Sequence, residues 1–132
     1  KYQELPMNKY QRIAVMCCPN QWRPKLINPK FTDLSTEEPK TYLYDTKTTF
    51  KSTDHYKTIA KAFANALEAA LFFGYDTIVL DDRAIEDNLI PAHLMAKMMQ
   101  EVLKIYSGRF KEVIIAVNKA ASFNVFRHYF SV

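Results

Sequence analysis

Four carboxylates fall within seven residues, Asp81, Asp82, Glu86 and Asp87, with Arg83 among them. Acids this dense could hold a hard cation such as Mg²⁺, or divide into the acid and base of a hydrolytic pair. They follow the apolar run Thr77-Ile78-Val79-Leu80 and precede Pro91. The plainer chemistry is a solvated loop whose acids favour the positive end of a helix opening at Pro91, with Arg83 paired to a neighbouring acid. On that reading, replacing Asp81 and Asp82 with Asn leaves stability within ~0.5 kcal/mol, and added cation changes nothing.

Two other segments carry polar groups at matching places. Asn20 and Arg23 lie in Pro19-Asn20-Gln21-Trp22-Arg23, and Asn118 and Phe123 follow the apolar run that ends at Val117. In open parallel sheets, ligands sit outside the carboxyl ends of the strands, which is where all three segments emerge. Asn20 and Arg23 could hold a phosphate or an amide-bearing ligand; alternatively Pro19-Asn20 starts a turn and Trp22 packs on the sheet edge. Phe123 could stack on a base or ribose, or anchor the last helix together with Phe126 and Phe130. His55, His93 and His128 fall on three separate helices, and nothing joins them to Cys17 or to a serine as a catalytic set. No Cys/His spacing suits a metal, and no cofactor is called for.

The elements that must position these groups follow from periodicity. Ile13-Ala14-Val15-Met16-Cys17-Cys18 is a continuous apolar run and reads as a strand buried on both faces. A long irregular stretch runs from Gln21 to about Ser52 and contains Pro24, Pro29 and Pro39. Thr53 or Asp54 can cap a helix reaching Phe73, whose face is made by Ile59, Phe63, Ala66, Leu67, Ala70 and Leu71. Thr77 to Leu80 is a strand, and Pro91 suits the first turn of the next helix. Met95, Met98, Met99, Val102 and Tyr106 form a core-filling stripe there. Val113 to Val117 is a further strand, and a short helix closes the chain. The two glycines, Gly74 and Gly108, each stand where a helix ends and a strand begins, so neither is free for a phosphate-cradling loop. Buried strands alternating with helices give an α/β fold: three layers, with a mainly parallel sheet and flanking helices, in a single domain over residues 1–132.

Composition sets the outer limits. The chain has 132 residues, 48% hydrophobic, enough for one domain with a core. No apolar run approaches the ~20 residues that cross a bilayer, and no membrane partner is expected. The net charge of +4, clustered at Arg23, Lys25 and Lys30 and again at Lys40, Lys47 and Lys51, falls short of a nucleic-acid-binding stripe. Cys17 and Cys18 are adjacent and buried by expectation, which suits two reduced thiols and a cytoplasmic, reducing compartment. The chain starts with Lys rather than Met and reads as a fragment or a processed product.

The order of elements resembles the C-terminal half of the microbial-type poly(ADP-ribose) glycohydrolases, a branch of the macrodomains. The likeness covers about 115 residues and rests on short motifs. Cys17-Cys18-Pro19-Asn20 resembles the family's strand ending in Ala-Pro-Asn. Ala69-Ala70-Leu71-Phe72-Phe73-Gly74-Tyr75-Asp76-Thr77-Ile78-Val79-Leu80 resembles its helix, glycine and Leu-Val-Leu strand. Phe110-Lys111-Glu112-Val113-Ile114-Ile115-Ala116-Val117 resembles its Phe-x-x-Val-x-Phe-Ala strand, and Phe126 stands in the closing helix.

The resemblance implies a module that binds or processes an ADP-ribose-type or nucleotide-like ligand, or that recognises an ADP-ribosylated protein. The candidate ligand-binding residues, taken from their places at the strand ends, are Asn20, Arg23, Asp81, Asp82, Arg83, Asn118 and Phe123. Two departures qualify the activity. The family's diphosphate cradle, Leu-Gly-Ala-Trp-Gly-Cys-Gly, is matched here by Leu80-Asp81-Asp82-Arg83-Ala84-Ile85-Glu86, whose carboxylates repel a diphosphate. The family's glycine-rich catalytic segment with Gln-Glu-Glu precedes the Pro-Asn strand, whereas Glu37-Glu38 follows it and has no glycines before it. Catalysis is therefore not carried over, and free ADP-ribose is expected to bind weakly. A catalytically inactive interaction module, with a protein docked on the acidic loop, is one alternative. A metal-dependent hydrolase using Asp81, Asp82, Glu86 and Asp87 is the other.

Overall fold

The computed structural model describes residues 24–30, 34 and 40–130. The expected first strand at residues 13–18, with Cys17 and Cys18, lies outside the described residues, as do Asn20, Trp22, Arg23, Glu37 and Glu38. The described chain is α/β. It runs β1 (Leu26–Ile27), a 3-10 helix (Thr41–Tyr44), β2 (Thr49–Phe50), α1 (Thr53–Phe72), β3 (Thr77–Asp81), α2 (Arg83–Asp87), α3 (Ala92–Ile105), β4 (Glu112–Ala116) and α4 (Ala120–Tyr129).

Within the stretch read as irregular, the described residues are more ordered than its prolines suggest. β1 and β2 pair antiparallel, with Leu26 opposite Phe50 and Ile27 opposite Thr49. A buried polar chain holds this piece together. Asn28 donates to the Thr48 hydroxyl at 2.7 Å, and that hydroxyl donates to the Tyr42 carbonyl at 2.7 Å. The His93 ring then donates to the Thr48 carbonyl at 2.7 Å, tying the piece to α3. Proline and polar content gave no hint of this, because the order comes from contacts distant in sequence.

α1 starts one residue earlier than expected. Ser52, not Thr53 or Asp54, is its N-cap and accepts from the Asp54 N–H at 3.3 Å. At its end Gly74 adopts φ +83°, Gly74 N–H bonds the Leu71 carbonyl and Tyr75 N–H bonds the Ala70 carbonyl. This crossed pair is the Schellman arrangement, which needs the left-handed residue that glycine supplies. Gly108 takes the same φ, and a side chain there would meet no atom within 4 Å. Conformation rather than space therefore demands glycine at that position.

β3 and β4 are parallel and joined through α2 and α3, with Ile78 opposite Val113 and Leu80 opposite Ile115. On one face Ile78, Leu80 and Ile115 pack on the core. On the other, Val79 is 63% exposed and Ile114 41%. The helices thus cover one face of this pair among the described residues. α3 packs against both α1 and α4, and its stripe of Met95, Met98, Met99, Val102 and Tyr106 is buried as expected. The Tyr106 hydroxyl donates to Glu68 at 2.8 Å across the α1–α3 seam. Among the described residues, no helix is long and apolar enough to cross a membrane.

Candidate functional site at the strand ends

β3 and β4 run in the same direction, so their carboxyl ends, Asp81 and Ala116, lie side by side. An open cleft of about 400 Å³ sits there, lined by Tyr44, Asp81, Arg83, Glu86, Asp87 and Asn118 among others. Its floor is set by Asp82. That side chain is only 7% exposed, and its Oδ2 accepts from the Asn118 N–H at 3.1 Å and the Lys119 N–H at 3.3 Å. One buried carboxylate thereby joins the end of β3 to the start of α4. A buried polar group is kept at acceptable cost only when it is hydrogen-bonded in this way.

The segment read as a loop is helical. Arg83 to Asp87 forms α2, and Ile85 at its centre is fully buried. The periodicity is hard to see because only Ala84 and Ile85 are apolar across a single turn. Leu89, just after α2, takes φ +54°. A branched side chain in that region is strained by about 1–2 kcal/mol and is kept there by the packing of Leu89 on the core.

The remaining acids divide into used and unused. Glu86 accepts from the Tyr44 hydroxyl at 2.7 Å and pairs with the Lys119 ammonium. Lys119 first, and Tyr44 second, hold the Glu86 carboxyl below its usual range. Burial, reinforced by the bond to Glu86, pushes the Tyr44 phenol up to about 12. Tyr44 is therefore held as a hydrogen-bond donor to Glu86. Asp81 accepts from the Arg83 N–H at 3.2 Å and faces its guanidinium at 3.8 Å. Among the described residues, the Asp87 side chain has no hydrogen-bond or ion-pair partner. Behind Tyr44, the Ser122 hydroxyl is fully buried and without a hydrogen-bond partner. It lies near enough to oppose the rise at Tyr44 but does not form a well-directed bond.

The structure thus brings together Asp81, Asp82, Arg83 and Asn118, four of the sequence-predicted residues. Asp82 is a buried structural acceptor, not part of a solvated loop. Phe123 does not line the cleft; it is 50% exposed, while Phe126, 4% exposed, anchors α4 and stacks on Phe130 at 6.3 Å. Sequence reasoning missed Tyr44 and Lys119. Position just beyond the β4 terminus would have flagged Lys119. Tyr44 reaches the site from 42 residues away through tertiary contact alone. Among the described residues, no group of three or more His, Cys, Asp or Glu side chains is placed to hold a metal ion. The reason is visible in the bonding: Asp82 faces backbone amides, Glu86 faces Lys119, and Asp81 faces Arg83.

No family model matches the chain, and no curated protein or solved structure is significantly similar to it.

Proposed function

We propose that this chain is a diverged macrodomain-like binding module whose strand-end cleft takes the nucleoside part of a nucleotide-like ligand. The observation that carries the reading is the cleft itself, placed at the carboxyl ends of a parallel pair with α3 in the crossover. Asp81 and Asp87 are exposed on its rim and have acceptor capacity for ribose hydroxyls or a base amine. Three layers fit the exposed Val79 and Ile114 on the far face, since parallel sheets are ordinarily covered on both sides. The rim carries Asp81, Glu86 and Asp87 against Arg83 and Lys119, so a diphosphate gains little there. Losing two charge-assisted bonds to phosphate, about 1.5–3 kcal/mol each, weakens a nucleotide by ~10²-fold or more.

Calorimetry with adenosine and with ADP-ribose tests this. Both are expected to bind with comparable, low affinity and without added cation. No heat from either would contradict the module. ADP-ribose binding more than ~10-fold tighter than adenosine would contradict the assignment of the nucleoside as the recognised part. A protein docked on the same acidic rim is the second reading, favoured by the exposure of Asp81 and Asp87. It predicts no nucleoside binding and a requirement for both acids in partner capture.

A further inference from the structure

A second concavity, of about 320 Å³, lies between β2 and helices α1 and α3. Phe50 and Tyr56 give it an aromatic wall and Leu94 an aliphatic one, while Lys57 and Lys97 are the charged residues that line it. No acid lines it. Among the described residues neither lysine forms an ion pair; the Lys97 ammonium stands 5.7 Å from the centroid of the Tyr56 ring. The Tyr56 hydroxyl donates to Glu101, which engages that carboxylate, and the bond follows burial as a cause of the raised Tyr56 pKa. Lys61, one turn along α1 from Lys57, is also exposed and unpaired.

Apolar surface flanked by uncompensated ammonium groups complements a ligand with an apolar anchor and negative charge. Small-molecule sites enclose 70–90% or more of their ligand. This groove is more open to solvent than the strand-end cleft and encloses a small molecule less well. A chain of a partner protein, seating one side chain and laying acids along the rim, suits such a shape better.

We propose that the groove docks an acidic peptide segment of a protein partner. One aromatic or large aliphatic side chain rests on Phe50, Tyr56 and Leu94, and its neighbouring carboxylates meet Lys57 and Lys97. The site is separate from the strand-end cleft and does not depend on what the cleft binds.

The test is a random dodecapeptide library displayed on phage and panned against the whole chain. The expected result is enrichment of sequences in which Asp or Glu flanks an aromatic residue or Leu. A selected peptide, synthesised with a fluorescent label, is expected to bind Lys57→Glu/Lys97→Glu about 10-fold or more weakly than the original chain. Lys104→Glu, in the last turn of α3 and outside the groove, is expected to bind it normally. All three substituted positions are exposed, and matching circular-dichroism melts would confirm that the variants fold. Failure to enrich any peptide, enrichment of peptides without acids, or equal binding by the double reversal would each overturn the proposal.

Discussion

The strand-end cleft holds more charge than the groove between β2 and the helices, yet most of it is already committed. In the cleft, Asp82 serves two backbone amides, Glu86 serves Lys119 and Tyr44, and Asp81 faces Arg83. In the groove, two lysines have no ion partner among the described residues. The sequence makes the acids conspicuous and leaves the lysines unremarked. The structure reverses that emphasis: a dense charge cluster can be internal scaffolding, while a sparse pair on apolar surface is open to a partner. What matters is how many hydrogen-bonding sites remain unspent, not how many charges stand together.

The sharpest break in that comparison is Asp82→Ala. It leaves the Asn118 and Lys119 amides without their acceptor in a buried place, and is expected to cost ~2–3 kcal/mol, read from urea unfolding. Asp82→Asn keeps one carbonyl acceptor and should lose less. An unchanged midpoint in both would show that Asp82 is not scaffolding. The sequence reading expected Asp81 and Asp82 to behave alike as solvated acids; their burial, 7% exposure for Asp82 against a 55% exposed Asp81 side chain, separates them.

The Glu86 cluster makes a pH prediction with two arms. Glu86 is held below its unfolded value by Lys119 and Tyr44, so its contribution is present above the unfolded pKa of ~4.3 and is lost as pH falls below it. Tyr44 is raised to about 12, so its contribution is present below the unfolded value and is lost as pH rises from ~10 towards that point. Because Glu86 and Lys119 are partly exposed, solvent screening keeps the acid arm small. Urea midpoints measured against pH should show both declines; Glu86→Gln should flatten the acid one and only reduce the alkaline one, because burial is the larger cause at Tyr44. Parallel curves for the two proteins would remove the cluster from the account.

Ser122→Ala gives a smaller effect of opposite sign. Removing a buried hydroxyl that lacks a partner should raise stability by up to ~1 kcal/mol. A loss of ~1 kcal/mol or more would instead reveal a working bond to Tyr44. Smallest of all is Asp81→Asn/Asp87→Asn, where two exposed rim acids change and stability should move by no more than ~0.5 kcal/mol.

Much of the frame was legible in the sequence because it depends on local periodicity and capping. α1, β3, α3 and β4 fall within a residue or two of expectation, and both glycines end helices as read. α2 was missed because one turn carries too little pattern to separate helix from loop. The β1–β2 pair was missed because two-residue strands held by Asn28, Thr48 and His93 leave no periodic trace. The expected burial of β3 and β4 is not reached: Ile78, Leu80 and Ile115 are half-buried on the core side, while Val113, Val79 and Ile114 are exposed. At the site, position at the strand ends identified Asp81, Asp82, Arg83 and Asn118, but only three-dimensional contact could add Tyr44. The places given to Asn20 and Arg23 lie outside the described residues.

The most direct test of the central claim is amide chemical-shift mapping of the whole chain during addition of adenosine. Recognition at the strand ends predicts shifts that grow together with ligand and cluster at Asp81, Asp87, Asn118 and Lys119, leaving Thr53, Lys57 and Lys97 in place. Shifts centred on Thr53, Lys57 and Lys97, or no shifts at all at saturating adenosine, would contradict it.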